Sequence, residues 1–334
     1  MRSKPKLLII ADQPHWAYHN IQLFLKRQFS HKIDIYTDFV IFNNQKDPGS
    51  LLPHHLLKRK IDEIRFRRVR NDKKYDAVLY LGVYFTDLMN SEFSAKTVLK
   101  GIYTDGFPPQ SIDSSEFQMT NNDFFIKYLQ DTDLIVCGSQ MICDYYKDFF
   151  PNTFYANAAY NENLFCGKKI IEKNNSKEFN IGWTGNPNRK FKGFFDIVVP
   201  AVEEASKIRQ GIELKTRFSG PLKTLPDFYK DIDLILIASD RDAGPSLFME
   251  ASLMNVPSVS TRIGMPHEVI LDGVNGLFCE KNVSSFVEAI LKLYDDRDLL
   301  FEMSKCIRND TIQILGLDIS VHRWNEVFAR AGLC

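Results

Sequence analysis

The sequence predicts an α/β protein made of two Rossmann-like parallel-sheet domains facing across a cleft. Three observations lead there. Short apolar runs alternate with stretches of helical spacing along the 334 residues, several runs are apolar at every position, and the alternation starts afresh after a polar stretch, KKIIEKNNSK, at 168–177. Alternating strands and helices indicate parallel sheets. Strands covered by helices on both faces are apolar throughout.

In the first half, residues 7–10 form the first buried strand. Residues 15–29 follow with helical spacing through Trp16, Ile21 and Leu25. Further strands are expected at 33–37, 77–82, 98–104 and 134–139. After the polar stretch, a strand at 180–185 enters a glycine turn and 194–208 is an amphipathic helix. Next come a strand at 213–220, a short helix at 225–232, a buried strand at 233–239, a helix at 246–255 and a strand at 258–264. Residues 284–314 read as paired helices, followed by a last helix carrying Trp324 and Phe328. The expected domains are 1–165 and 166–316. Residues 317–334 form a C-terminal helix that packs back toward the first domain. In such folds ligands sit at the carboxyl ends of the strands.

Composition narrows the function. An apolar fraction of 44% supports sizeable cores. Lys+Arg and Asp+Glu both count 42, so a general nucleic-acid partner is not expected. Six cysteines without a C-x-x-C pair give no zinc or disulfide framework and suit a reducing cytoplasm. The opening apolar run is too short for a signal peptide, and no run approaches a membrane span. The expected location is the cytoplasm, including the inner face of the membrane.

The segment DLILIASDRDAGPSLFMEASLMNVPSVSTRIG reads as buried strand, loop and helix. Pro245 and Ser246 occupy positions that begin helices well, and first-turn N–H groups hold an anion without metal. Glu250 lies one turn in, on the same face as Ser246, where its carboxylate can accept hydrogen bonds from the two hydroxyls of a ribose. Asp242, on the loop nearer the anion, can reach the hydroxyls of a sugar. The plainer reading of the same spacing is that Glu250 complements the helix dipole and Asp242 caps a loop.

DAGPSLFMEASLMNVPSV resembles the E-x7-E signature of the family 4 retaining glycosyltransferases, written E-G-F-G-x-x-x-x-E-A-M-A-x-G-x-P-V. Glu250, Ala251 and Pro257 match, Asn255 replaces a glycine, and Asp242 replaces the first glutamate, one methylene shorter. LPDFYKDIDLILIAS and STRIGMPHEVILDGVNGLFCE extend the match, with Gly264, Glu268, Gly273, Asn275 and Gly276 in place. The resemblance implies the two-domain GT-B fold. It gives Glu250 the nucleotide ribose and Asp242 the donor hexose, and Gly244, Pro245, Ser246 and Leu247 fall in the donor-binding stretch.

Upstream, NIGWTGNPNRKFKGFFDI is a glycine-ended strand, a basic loop and a helix. Gly185 allows a tight turn, and Arg189, Lys190 and Lys192 bring positive charge to stabilise a departing diphosphate. Taken alone, such a loop is more often a solvated basic surface, and the neighbouring 242–250 segment favours the clamp. In the family a Gly-Arg and a Lys-Gly pair flank this loop. Lys192-Gly193 matches the second, while Asn186 stands in the arginine's place, leaving that role vacant or with Arg189.

Asp12, His15 and Trp16 follow the first strand and are the acceptor-binding candidates, Trp16 offering a ring for sugar stacking or else plain core. Relatives carry a histidine where VLKGIYTDGFPP stands. Here Asp105 is the candidate polar contact with the reacting sugars. NAAYNENLF resembles the family's end of the first domain, with Asn157, Asn161 and Phe165 aligned. The stretch 54–74 is basic, with Leu57, Ile61 and Ile64 on one helical face. It is either a core-packed helix or a peripheral contact with an anionic membrane.

The resulting expectation is transfer of a hexose from UDP- or GDP-hexose, with retention, to a glycan, lipid-linked or protein-linked acceptor in cell-surface polysaccharide or glycoconjugate biosynthesis. Asp242, Lys192, Arg189 and Asp105 are the catalytic set. Glu250, Gly185, Asn186, Gly244, Pro245, Ser246 and Leu247 bind the donor, with no metal or other cofactor. Alternatives are a sugar-nucleotide epimerase on the same fold, a non-catalytic nucleotide-sugar-binding subunit, and a single-domain, metal-dependent transferase using the D-x-D of Asp240 and Asp242, which full activity in EDTA would exclude.

Overall fold

The computed structural model describes residues 3–43, 53–89, 93–103, 120–168 and 178–334. The chain divides into two compact units, Met1–Ala158 with Ser320–Cys334, and Ala159–Ile319. Each is built on one parallel sheet.

In the first unit the strands are β1 (Lys6–Ala11), β2 (Asp34–Phe39), β3 (Lys74–Tyr80), β4 (Ser94–Ile102), β5 (Leu134–Cys137) and β6 (Thr153–Tyr155). Their order across the sheet is β2-β1-β3-β4-β5-β6. In the second they are β7 (Phe179–Thr184), β8 (Ile212–Arg217), β9 (Leu234–Ile237), β10 (Ser258–Ser260) and β11 (Leu277–Phe278), in the order β11-β10-β9-β7-β8. Every pairing is parallel. Leu7 through Ile10 and Leu234 through Leu236 are fully buried. Each such side chain contributes roughly 1.5–3 kcal/mol, and helices cover both faces of these strands.

The two sheets share one wiring rule. The second strand of each unit lies on one side of the first, and the third lies on the other. The chain therefore reverses direction across the sheet between β1 and β3, and again between β7 and β9. At such a switch point, loops leave the carboxyl ends of adjacent strands on opposite sides and open a crevice.

The last helix, Leu317–Arg330, places its residues from Ser320 onward in the first unit. There the Phe328 ring meets Phe29 at 4.9 Å, and the Trp324 indole N–H donates to the Asn157 carbonyl at 3.0 Å. Arg323 donates to the Asn157 side chain at 2.7 Å. Asn157 and the buried Phe165 thus act in packing, while Asn161 accepts from the Asn163 and Leu164 amides.

Several elements differ from the sequence expectation. β6 and β11, with three and two residues, are too short to show a period. The strand expected at 258–264 stops at Ser260, and a helix Gly264–Val269 follows. The helix expected at 194–208 opens with a π-type turn over Phe194–Val198, in which the Val198 amide reaches back to the Gly193 carbonyl at 3.0 Å. The basic stretch 54–74 is helical only over Pro53–Phe66. The chain then extends, and Arg68 exchanges two backbone hydrogen bonds with Thr37 at 2.8 and 2.9 Å. β8 ends the second sheet and exposes Glu213 and Lys215, which pair with each other. Among the described residues no helix is long and apolar enough to cross a membrane.

Candidate functional site

The second unit gathers its polar groups at the β7/β9 switch point. β7 ends in Thr184 and the chain turns through Gly185 at φ +133°, a conformation that favours glycine. A short 3₁₀ turn, Lys190–Lys192, then brings the chain to Gly193 at φ +63°. A Cβ on Gly193 would stand 2.6 Å from the Ala238 carbonyl oxygen, so only glycine lets this loop lie against the end of β9. That approach aims Lys192 at the next loop, where its Nζ pairs with Asp242 Oδ2 at 3.0 Å; the two side chains are 15% and 10% exposed. Arg189 is half-buried at the start of the 3₁₀ turn and its guanidinium has no partner among the described residues. Asn186 is exposed and accepts from the Asn188 amide at 3.0 Å, a local turn bond.

Asp242 is fixed from several directions. Its Oδ1 accepts from the Gly244 amide at 3.2 Å. The Met265 amide donates to the Ala243 carbonyl at 3.0 Å, and Gly264 passes so close that a Cβ would lie 2.1 Å from that same oxygen. The chain after Ser260 thus packs against the loop that leads into the helix carrying Glu250. That helix, Ser246–Leu253, has Pro245 as its N-cap and no side chain bonded to its first amides. Its N-terminal N–H groups are the uncapped donors that attract an anion. Leu247 is buried and contributes packing.

Glu250 is 6% exposed on this helix. Burial pushes its carboxyl up to about 7, against the opposing effects of a Tyr229 hydrogen bond and of the Lys192 and Arg217 charges. The Tyr229 hydroxyl donates to Glu250 Oε2 at 2.8 Å and lies 3.1 Å from Thr184 Oγ1. Tyr160, half-buried, hydrogen-bonds Ser246 and faces Glu250 and Asp242. None of Thr184, Tyr160 or Tyr229 was singled out from the sequence, because their hydroxyls act through tertiary contacts that no local spacing announces. Arg217 lies nearby and binds the Thr224 and Pro221 carbonyls at 2.8 and 3.0 Å, closing the loop between them. The D-x-D carboxylates do not converge: Asp240 pairs with Lys281 at 2.7 Å and Asp242 with Lys192. The two-unit fold also departs from the single-domain alternative.

In the first unit, the corresponding loop follows β1. Asp12 Oδ1 accepts from the Gln13 amide at 2.8 Å. His15 has φ +70°, and its amide donates to His19 Nδ1 at 2.8 Å. Its own Nε2 lies 3.6 Å from Asp62. His19 is buried among Phe39 and Phe66, and burial, followed by the nearby His15, lowers it to about 4. Trp16 is 49% exposed, so it is not plain core. In the same unit the fully buried Asp38 is held by Arg67 at 3.1 Å. Asp105 lies outside the described residues. On the helix Pro53–Phe66, Leu57, Ile61 and Ile64 are 63%, 53% and 70% exposed, which removes the core-packed reading of that face.

Residues 177–296 match the family model described as Glycosyl transferases group 1. No curated protein matches the chain in sequence. Sucrose-phosphate synthase from Thermosynechococcus elongatus has a similar structure, at 10% identity and TM-score 0.69, over 98% of this chain and 99% of that one. Anabaena HepE in complex with UDP and glucose is similar at 14% identity and TM-score 0.64, over 96% and 99%. A mutant of S. aureus TarM in complex with Fondaparinux, alpha-GlcNAc-glycerol and UDP is similar at 16% identity and TM-score 0.59, over 75% of this chain; the match spans only 55% of TarM. At these identities the likeness is one of fold. The chain therefore has the fold of the GT-B glycosyltransferases, and residues 177–296 of its second unit match a glycosyltransferase model.

Proposed function

We propose that the protein transfers a hexose from a nucleotide diphosphate sugar, UDP- or GDP-hexose, to a glycan, lipid-linked or protein-linked acceptor, with retention at the anomeric carbon. The observation that carries this reading is the buried Glu250 one turn inside a helix whose uncapped N-terminus follows the Lys192–Asp242 pair. A buried carboxylate is costly unless a ligand uses it, and the two hydroxyls of a ribose are suitable partners. The diphosphate takes the helix N-terminus, Lys192 and Arg189. Because Lys192 and Asp242 hold each other, donor binding exchanges partners: the lysine turns to the diphosphate and the aspartate to the hydroxyls of the hexose. Gly185, Asn186, Gly244, Pro245, Ser246 and Leu247 shape the backbone around the donor. The loop closed by Arg217 faces the base.

As the bond to the sugar breaks, negative charge grows on the diphosphate, and Lys192 and Arg189 stabilise it there. The acceptor hydroxyl attacks from the same face and its proton passes to the leaving phosphate. No metal and no protein nucleophile take part. Asp12, His15 and Trp16 receive the acceptor, with Asp105 assigned from sequence alone. The exposed Leu57, Ile61 and Ile64, flanked by Lys58, Arg59 and Lys60, suit contact with an anionic leaflet. Flotation with anionic liposomes tests that contact. The assigned location is the cytoplasm, at the inner face of the membrane, in cell-surface polysaccharide or glycoconjugate synthesis.

The deciding experiment is a thermal-shift screen against UDP, GDP, ADP and their sugars, followed by product analysis with and without an acceptor. Glu250→Ala is expected to weaken nucleotide binding by about 1.5–3 kcal/mol, the range for hydrogen bonds to a charged group. Unchanged affinity would remove Glu250 from the ribose site.

A further inference from the structure

Glu250 has two oxygens with different surroundings. Oε2 receives the Tyr229 hydroxyl at 2.8 Å. Oε1 has no hydrogen-bond partner among the described residues. It is accessible to solvent. Tyr229 is fully buried, and its oxygen is in turn 3.1 Å from Thr184 Oγ1 at the end of β7. When Glu250 is ionised, only one proton order satisfies this row: threonine donates to tyrosine, and tyrosine donates to the carboxylate. The row spans three elements, β7, the helix Leu225–Lys230 and the helix Ser246–Leu253. It fixes the rotation of the carboxylate.

We infer that Tyr229, backed by Thr184, is a positioning residue that holds Glu250 by one oxygen, so that the other is presented, ionised, to the ribose hydroxyls of the nucleotide.

The inference rests on the reading of Glu250 as the ribose ligand, and it adds a proton linkage to donor binding. The groups facing the carboxyl are Tyr229, Tyr160, Lys192 and Arg217, with Thr184 behind. Both cations favour the ionised form, yet burial outweighs them and the carboxyl stays protonated up to about pH 7. A nucleotide that needs the ionised form must displace that proton. Its affinity therefore falls as pH drops through 7, by about tenfold between pH 8 and pH 6. Tyr229→Phe keeps the ring and deletes the donor that stabilises the charge, which moves the titration up by about one pH unit.

The test combines carboxyl ¹³C NMR of glutamate-labelled full-length protein with calorimetric titration of UDP, GDP and ADP at pH 6, 7 and 8. The Glu250 resonance is identified by its absence in Glu250→Ala. Tyr229→Phe is expected to raise the Glu250 midpoint and to weaken binding of the preferred nucleotide at pH 7 by about fivefold, with turnover at saturating donor little changed. A folded Tyr229→Phe protein with the wild-type midpoint and affinity overturns the inference. If Tyr229→Phe does not fold, Thr184→Val should move both quantities the same way by less, and no movement overturns the inference. Should Glu250→Ala bind all three nucleotides like the wild type, the ribose reading fails separately, while the carboxyl titration still reports on Tyr229.

Discussion

The two units have the same sheet wiring and opposite chemistry at its switch point. In the second, the loop after the first strand is turned by two glycines in left-handed conformations and delivers Lys192 against Asp242. In the first, the equivalent loop has no glycine and no lysine. It holds Asp12, His15 and an exposed Trp16, with the His15 ring set edge-on against His19 and Phe66. The wiring provides a crevice and says nothing about what fills it. The loop residues decide, and under the proposed function they serve a diphosphate in one unit and the acceptor in the other.

The largest effect is expected where charge develops. Lys192→Ala should lower turnover about 10²- to 10³-fold, the usual cost of removing one group that stabilises a transition-state charge, in a steady-state assay at saturating donor. A loss below tenfold would erase the chemical contrast between the loops. The next contrast is pH. His19 has a value of about 4 in the folded chain against an ordinary 6.5, so the unfolded state binds the proton more readily and the first unit loses stability as pH falls from 6.5 toward 4. Glu250 has about 7 in the folded chain against 4.5, so the second unit loses stability as pH rises from 4.5 through 7. Each effect is up to about 3 kcal/mol. Amide hydrogen exchange of β1 and β9 across pH 4.5–7.5 should show protection moving in opposite directions in the two strands. The smallest effect belongs to Trp16→Ala. Stability should change by no more than about 0.5 kcal/mol, as for most exposed positions, while the acceptor KM rises several-fold and the donor KM stays put.

Much of this was legible in the sequence where chemistry is local. Apolar runs such as 7–10 and 234–237 announced buried strands, and Glu250 and Lys192 stand on either side of glycine or proline turns that mark loop ends. The unannounced features depend on residues far apart in the chain. Tyr229 looks like an ordinary helix residue until β7 and the Glu250 helix are packed beside it. Gly264 looks like a strand glycine until the Ala243 carbonyl is found where its Cβ would be. Trp16 could not be placed by spacing, because it stands at the N-cap with extended backbone, outside the helical period that the buried residues from Tyr18 onward follow.

The charged rim of the second sheet has a consequence of another kind. Among the described residues β8 is the edge strand of that sheet, and its outer backbone edge would accept a strand from another chain as readily as its inner side accepts β7. Glu213 and Lys215 alternate along this edge with their charges in water. A strand arriving from a second molecule would have to desolvate them, so the edge resists the edge-to-edge strand pairing through which sheet proteins aggregate.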